Sequence, residues 1–427
     1  MTRPDERRLA GAAASAAPAA AAAAVSAPAS SAASIVGPAG PSTAPRFAAL
    51  PPLSLYVHLP WCIRKCPYCD FNSHEARGDL PEDAYVDALL AGIRARVPLL
   101  PDAEITLEAN PGTFERAKFA GFFAAGVNRL SLGVQSFDAA KLSALGRVHD
   151  ADEAKRAAEA AMMIFGNVNL DLMYALPGQT VDEARADVAA ALAFAPPHLS
   201  FYQLTLEPNT LFHRHPPVLP DDDAAADIED AVHGALAAAG YGRYETSAFA
   251  RAGRECRHNL NYWRFGDYLG IGAGAHGKLS FPDRVVRQLR WKQPRQYLES
   301  VARGAPLQEE REVTRDDMGF EFMLNALRLD GGVPAALFAE RTGFPLALVA
   351  RELEAAAARG LIETDPTVIR PTAQGRRFLN DLTGLFLRDG AAGDPSSASA
   401  ASAGAAGNRA VPLARPVALP VTKGAPR

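Results

Sequence analysis

Cys62-Ile63-Arg64-Lys65-Cys66-Pro67-Tyr68-Cys69 follows, after Pro60-Trp61, on the apolar run Leu53-Ser54-Leu55-Tyr56-Val57-His58-Leu59. Alternation and β-branched or aromatic residues predict a strand for the run, which places the cysteines on the loop at its C-terminal end. Three thiolates in so short a loop can converge on one metal centre. A four-iron cube held by three cysteines keeps one iron without a protein ligand, and an open metal position is where a small molecule binds and reacts. Spacing alone leaves two other readings open. Cys66-Pro67-Tyr68-Cys69 has the form of a thiol redox pair, and a fourth ligand such as Cys256 or His58 would complete a zinc site.

A chain of 427 residues suits two folded domains with tails. The net charge of −4, with both signs mixed, gives no footprint for nucleic acid or an acidic membrane surface. Four cysteines, three of them clustered, form no disulfide framework and suit a reducing compartment. No apolar run approaches the roughly 20 residues of a membrane span, so an integral membrane protein is not expected. Residues 1–50 are mostly Ala, Pro and Ser, broken by Pro18, Pro28, Pro38 and Pro41, and residues 388–427 repeat that composition; both are expected to be disordered tails. Arg7-Arg8 ahead of an alanine run is a weak export signal beside Asp5 and Glu6, and a cytoplasmic location is expected.

From Leu53 to Thr205 short strands alternate with helix-length segments, the pattern of a parallel sheet with crossover helices. The strands are the cysteine-bearing run, Glu104–Ala109, Asn128–Val134, Val168–Met173 and Leu199–Leu204. Helices are expected at Pro81–Val97, with Tyr85, Ala88, Leu89 and Ile93 on one face, and at Val181–Phe194. The fold class is therefore α/β, a partial barrel or open sheet spanning 51–245. Chemistry in such folds gathers at the C-terminal strand ends, where Glu108, Asn110 and Gln135 stand, with Asp171 inside an apolar strand. Asp221–Ala239 reads as a helix closed by Gly240, and Tyr244–Ala248 as one more strand. Residues 246–308 carry His258-Asn259-Leu260-Asn261-Tyr262-Trp263 and Gly272-Ala273-Gly274-Ala275-His276-Gly277. The latter has the G-x-G-x-x-G form without the following crossover helix, which argues against a dinucleotide fold. Cys256 reads as a small buried residue. Residues 309–387 form a helical unit of winged-helix outline, with a hairpin expected between Leu361–Thr364 and Thr367–Arg370. Nine Arg against thirteen Asp and Glu there make DNA binding improbable.

Beyond these patterns, YVHLP-WCxxxCPYCDF, LEANPGT from Leu107, GVQSF from Gly133, GRxH from Gly146 and NLDLMYALPGQ from Asn169 resemble the radical S-adenosylmethionine (SAM) superfamily. The branch is that of anaerobic coproporphyrinogen III oxidases and HemW-type haem chaperones, and the resemblance covers about residues 53–387. It implies a 4Fe-4S cluster on Cys62, Cys66 and Cys69. It implies SAM contacts from Tyr56, Tyr68, Glu108, Gln135, Arg147, Asp171 and Thr205, with His276 near the adenine. The glycines about Gly272 would let the backbone approach SAM. HNxxYW is associated with the chaperones: His258 would serve haem, and Tyr262 and Trp263 would offer flat faces to a porphyrin. The oxidases carry a further cysteine two residues after the third, where this chain has Phe71. The resemblance therefore implies a haem chaperone, passing haem to acceptor proteins such as respiratory enzymes, ahead of an oxidase that decarboxylates coproporphyrinogen. One departure matters. The family's strand ending in a GGGTPS-like motif, whose backbone contacts the SAM amino group, has no counterpart between Cys69 and Glu104. A strand and a helix are missing near Gly92, so strands one and two must either pair directly or leave a gap. Weak SAM binding is expected.

Overall fold

The computed structural model describes residues 44–76, 81, 84–85, 87–89, 103–111, 116–124 and 126–387. The expected disorder of 1–43 and 388–427, and the surroundings of Gly92, lie outside these residues. Strands in chain order are β1 (Leu53–Val57), β2 (Trp61–Cys62), β3 (His74–Glu75), β4 (Thr106–Ala109), β5 (Arg129–Gln135), β6 (Val168–Tyr174), β7 (His198–Gln203), β8 (Gly242–Glu245) and β9 (Ala248–Ala250). They continue with β10 (Asp267–Ile271), β11 (His276–Phe281), β12 (Arg284–Arg290), β13 (Leu307–Glu312), β14 (Val333–Pro334) and β15 (Val368–Ile369).

One sheet runs β4-β5-β6-β7-β9-β8. Its first four strands are parallel, and β9 and β8 close the edge as an antiparallel hairpin. β5 and β6 are buried on both faces, yet they alternate: Leu130, Leu132, Val134, Val168, Leu170 and Leu172 enter the core beneath the helices, while Ser131, Gln135, Asn169 and Asp171 point to the other face. Leu130, Leu132, Val134, Leu170, Leu172, Leu199 and Phe201 are buried in one core. The crossover helices begin where the sequence places their caps. Asp150 with Glu153, and Thr180 with Glu183, each form a complete capping box before helices Ala151–Ile164 and Val181–Ala193. Asp221 caps Asp222–Ala238 through the Ala224 amide. In the expected Pro81–Val97 helix, the described residues are helical, with Tyr85, Ala88 and Leu89 buried. Ile93 lies outside the described residues. The expected strand at Tyr244–Ala248 is instead the hairpin β8–β9.

The second sheet runs β1-β10-β11-β12-β13. Here β1 lies parallel to β10, Leu53 opposite Asp267 and Val57 opposite Ile271, and the later strands form an antiparallel meander. Among the described residues β1 and β4 do not pair.

The C-terminal helices Arg315–Ala326, Ala336–Thr342 and Ala350–Ala358 pack about Phe322, Phe338 and Met323. That core also takes in Tyr262, Trp263 and Phe265, so the division expected at residue 309 is not a boundary between cores. β15 pairs with β14, while Ile362 bridges Pro371 and the Glu363 amide donates to the Arg370 carbonyl at 2.9 Å. The expected hairpin is thus shifted by one residue and gains a third strand. The N-terminal tail also ends earlier than residue 50: the Arg46 amide donates to Gly343 at 2.8 Å and Phe47 packs on the C-terminal core. Among the described residues no helix is long and apolar enough to cross a membrane.

Candidate metal and cofactor site

The cysteine loop is held from both sheets. β2 and β3 form a short parallel ladder across its base, and the Ala76 amide donates to the Cys62 carbonyl at 2.8 Å. On the β1 side, the His58 amide extends the pairing to Ile271 at 2.9 Å. The His58 ring lies between the Tyr56 hydroxyl, 2.9 Å from Nδ1, and the Asn72 carbonyl, 3.0 Å from Nε2. The Asn72 side chain donates to the carbonyls of Ala273 and Lys292 at 3.0 and 2.9 Å. The Tyr85 hydroxyl donates to the His58 carbonyl and accepts from the Ala273 amide.

The glycines of this turn have a packing role. Gly272 and Gly274 have φ of 102° and 78°, and a Cβ would stand 2.2 Å from the His58 oxygen and 2.2 Å from Asn72 Nδ2, respectively. They are needed so that the cysteine loop can lie on the β10–β11 turn.

Arg147 clamps the other side. Nη1 reaches Cys66 Sγ at 3.5 Å and the Tyr68 hydroxyl at 3.3 Å, while Nη2 donates to Asn110 Oδ1 at 2.6 Å and the Gly133 carbonyl at 2.8 Å. Burial works against its charge, but the neighbouring Tyr68 and Cys66 outweigh that and hold the guanidinium protonated. Arg64 donates to the Gly146 carbonyl, and Pro67 accepts from the Phe212 amide at 3.0 Å. The loop therefore sits over the C-terminal ends of the parallel strands, as the fold predicts.

Cys62, Cys66 and Cys69 are free thiols, all half-buried. Burial pushes Cys62 and Cys69 up, and Cys62 is raised further by Cys69 and Cys66, while Arg147 acts in the opposite sense on Cys62. Three free, half-buried thiols on one short loop fit an iron–sulfur cluster whose binding displaces the thiol protons.

The expected SAM residues divide into groups. Arg147, Tyr68 and Gln135 gather at the cysteine loop; Gln135 holds φ of 70° and accepts from the Tyr202 hydroxyl. Glu108 and Asp171 face one another electrostatically on the interior face. Glu108 keeps solvent contact, yet enclosure by protein and then the Asp171 carboxylate push it up to about 7. Burial also raises Asp171, although Ser131 Oγ and Asn169 Nδ2 donate to it at 2.7 Å each. The Thr205 hydroxyl donates to Glu207. Tyr56 and His276 belong to the other sheet, where burial and then Arg287 hold His276 down near 4.

His258 stands apart. It begins the helix Arg257–Trp263, and its Nδ1 lies 3.2 Å from the Thr106 hydroxyl at the entrance of β4. That is the opposite end of β4 from Asn110 and the cysteine loop, a strand length of roughly 10 Å. Burial opposes its charge, but Cys256 and then Glu104 push the imidazole up to about 10. Tyr262 and Trp263 do not offer open faces: they are 6% and 3% exposed, Tyr262 meeting Tyr268 edge-on and Arg328 lying over the Trp263 ring. Asn261 joins the sheet, donating to Ser54 Oγ and the Asp267 carbonyl. Sequence reasoning missed Asn72, Tyr85 and Glu104 as site-forming residues. Each reads as an ordinary loop, helix or strand residue, and its partner lies far along the chain.

Comparison with known proteins agrees with this geometry. The radical SAM superfamily matches residues 79–191 and the HemN C-terminal domain matches 313–378; the cysteine loop lies upstream of both. The structure of coproporphyrinogen III oxidase HemN from Escherichia coli, a radical SAM enzyme, is similar with a TM-score of 0.66 at 23% identity, covering 79% of this chain and 90% of that one. The fold is thus the α/β radical SAM fold with a HemN-type C-terminal domain. The haem chaperone HemW of Escherichia coli (strain K12) is 47% identical over 379 residues, covering 80% of this chain and 99% of that protein. HemW of Bacillus subtilis (strain 168) is 33% identical over 382 residues, covering 78% and 99%. The chain belongs to the HemW haem-chaperone family of radical SAM proteins.

Proposed function

We propose that the protein is a haem chaperone of the cytoplasm that binds haem and a 4Fe-4S cluster and delivers haem to acceptor proteins such as respiratory enzymes. The observation that carries this reading is the 47% identity to a haem chaperone across 99% of that protein's length. Cys62, Cys66 and Cys69 would hold the cluster, whose iron left without a cysteine can bind a further ligand. Arg147 and Tyr68 would fix the loop, with Arg147 Nη1 3.5 Å from the Cys66 sulfur. Gln135, Glu108, Asp171, Thr205, Tyr56 and His276 are the proposed surroundings of SAM. His258 is the proposed haem ligand; its ring is 19% exposed, so a haem plane reaches it only if the start of the helix Arg257–Trp263 opens. Phe71, which has no thiol, favours the chaperone over an oxidase.

Anaerobic reconstitution should give a 4Fe-4S absorbance and EPR signal that a triple Cys62, Cys66, Cys69→Ala variant lacks. Added haem should give a Soret band that His258→Ala perturbs. Stoichiometric zinc without iron after anaerobic isolation would overturn the cluster, and conversion of coproporphyrinogen III by the purified protein would overturn the chaperone reading.

A further inference from the structure

Glu104, Cys256 and His258 meet at the entrance of β4, a strand length from the cysteine loop. Cys256 Sγ lies 3.1 Å from His258 Nδ1 and 3.6 Å from Glu104 Oε1, and Nδ1 lies 3.5 Å from that oxygen. Around a tetrahedral zinc ion with bonds of about 2.0–2.3 Å, thiolate, imidazole and carboxylate donors stand about 3.4–3.6 Å apart. The three side chains already mark one face of such a tetrahedron. We propose that Glu104, Cys256 and His258 form a site for a divalent cation of the zinc class, distinct from the cysteine loop.

The donor types support the assignment, since a thiolate with an imidazole and a carboxylate selects a borderline-soft ion over calcium or magnesium. The Thr106 hydroxyl, 3.2 Å from Nδ1, flanks the fourth position, which a water or this hydroxyl fills. Charge also balances. Thiolate and carboxylate cancel the ion's two charges, and Arg129, buried beside them, faces Asp171 as well. The competing reading is a hydrogen-bonded helix cap, because Glu104 Oε1 accepts from the Arg257 and His258 amides at 2.9 and 3.2 Å. That cap is complete without sulfur, however. Cys256 occupies the N-cap position and makes no capping bond of its own; its buried thiol is aimed between the other two donors, within hydrogen-bond reach of both, which is where an ion would replace the thiol proton. A bound ion would tie the start of the HNxxYW helix to the β4 strand. It would also compete with haem for His258.

The full-length chain with Cys62, Cys66 and Cys69 replaced by Ala, which removes the cluster thiols, is titrated with cobalt(II). A thiolate-to-cobalt charge-transfer band and tetrahedral d–d bands should saturate at one equivalent and disappear on adding zinc. Cys256→Ser should abolish the charge-transfer band, and Glu104→Gln should weaken binding by roughly tenfold or more. Circular dichroism identifies which variants fold; if Cys256→Ser does not, the Glu104→Gln affinity decides. No thiolate–cobalt band, a band surviving Cys256→Ser, or unchanged affinity in Glu104→Gln would leave a hydrogen-bonded cap only and overturn the proposal. In the cluster-competent chain, Cys256→Ser should keep the His258-dependent Soret band, so failure of the ion site and failure of the haem reading are told apart.

Discussion

Glu108 carries the most informative single charge on the inner face of the parallel sheet, where its side chain is exposed. Its carboxyl is pushed from an ordinary 4.5 up to about 7, by enclosure and then by Asp171 on β6, two strands away. An acid whose folded pKa exceeds its unfolded value binds its proton more tightly when folded. Its contribution to stability is therefore fully present below 4.5 and is lost as pH rises through about 7. Solvent contact reduces the size of this effect but not its sign. Glu108→Gln, which cannot ionise, should lessen the fall in urea-unfolding stability between those two pH values. Equal slopes in variant and parent would show Glu108 ionised throughout. The position was legible in the sequence, as a polar residue closing a strand; the shift was not, because it depends on Asp171 and on how the interior is enclosed. Arg147 shows the same division. Its motif pointed to the site, while the clamp joining Cys66, Tyr68, Asn110 and Gly133 emerges only from the packing of four separate segments.

Elements whose signals are local were legible as whole units. The helices after Asp150 and Thr180 start at capping boxes, and β5 and β6 alternate apolar and polar residues at strand period. The partner of β1 was not legible, since a parallel pairing leaves no mark in either strand and β10 lies far downstream. The Gly272–Gly277 turn was legible as a glycine pattern, but its packing partners were not. Its glycines answer to the backbone of His58 and to the Asn72 side chain, so the turn and the cysteine loop form one unit. Gly274→Ala should break it. The new methyl would stand 2.2 Å from Asn72 Nδ2 at a φ of 78°, displacing the side chain that holds Ala273 and Lys292. The expected cost is about 1–3 kcal/mol, with faster cluster loss after reconstitution. A variant that keeps both its urea midpoint and its cluster lifetime would show that the loop does not lean on this turn.

Among the described residues the two sheets meet at the cysteine loop and do not pair strand to strand. β1 ends at His58 and pairs with β10; β4 ends at Asn110 and pairs with β5. A complete parallel series would place one more strand between them. The alignment to Escherichia coli HemW runs over 379 residues yet takes in 80% of this 427-residue chain, so some tens of aligned positions have no residue here. A lost strand and helix of about 30–40 residues accounts for a difference of that size. The consequence falls on one end of the ligand. The Arg147, Tyr68 and Gln135 group and the Glu108–Asp171 pair remain on the parallel sheet. The sequence between Cys69 and Glu104 has no counterpart of the glycine motif whose backbone is expected to grip the SAM amino group. With one wall of the pocket missing, SAM should bind weakly and be cleaved little on reduction, even beside an intact cluster. Titrating SAM into the reconstituted protein, with the cluster EPR signal followed and 5′-deoxyadenosine measured after reduction, checks this. A spectrum perturbed at micromolar SAM together with released 5′-deoxyadenosine would mean that other residues replace the missing wall. An unperturbed spectrum beside a normal haem Soret band would mean that haem binding in this chain does not require SAM.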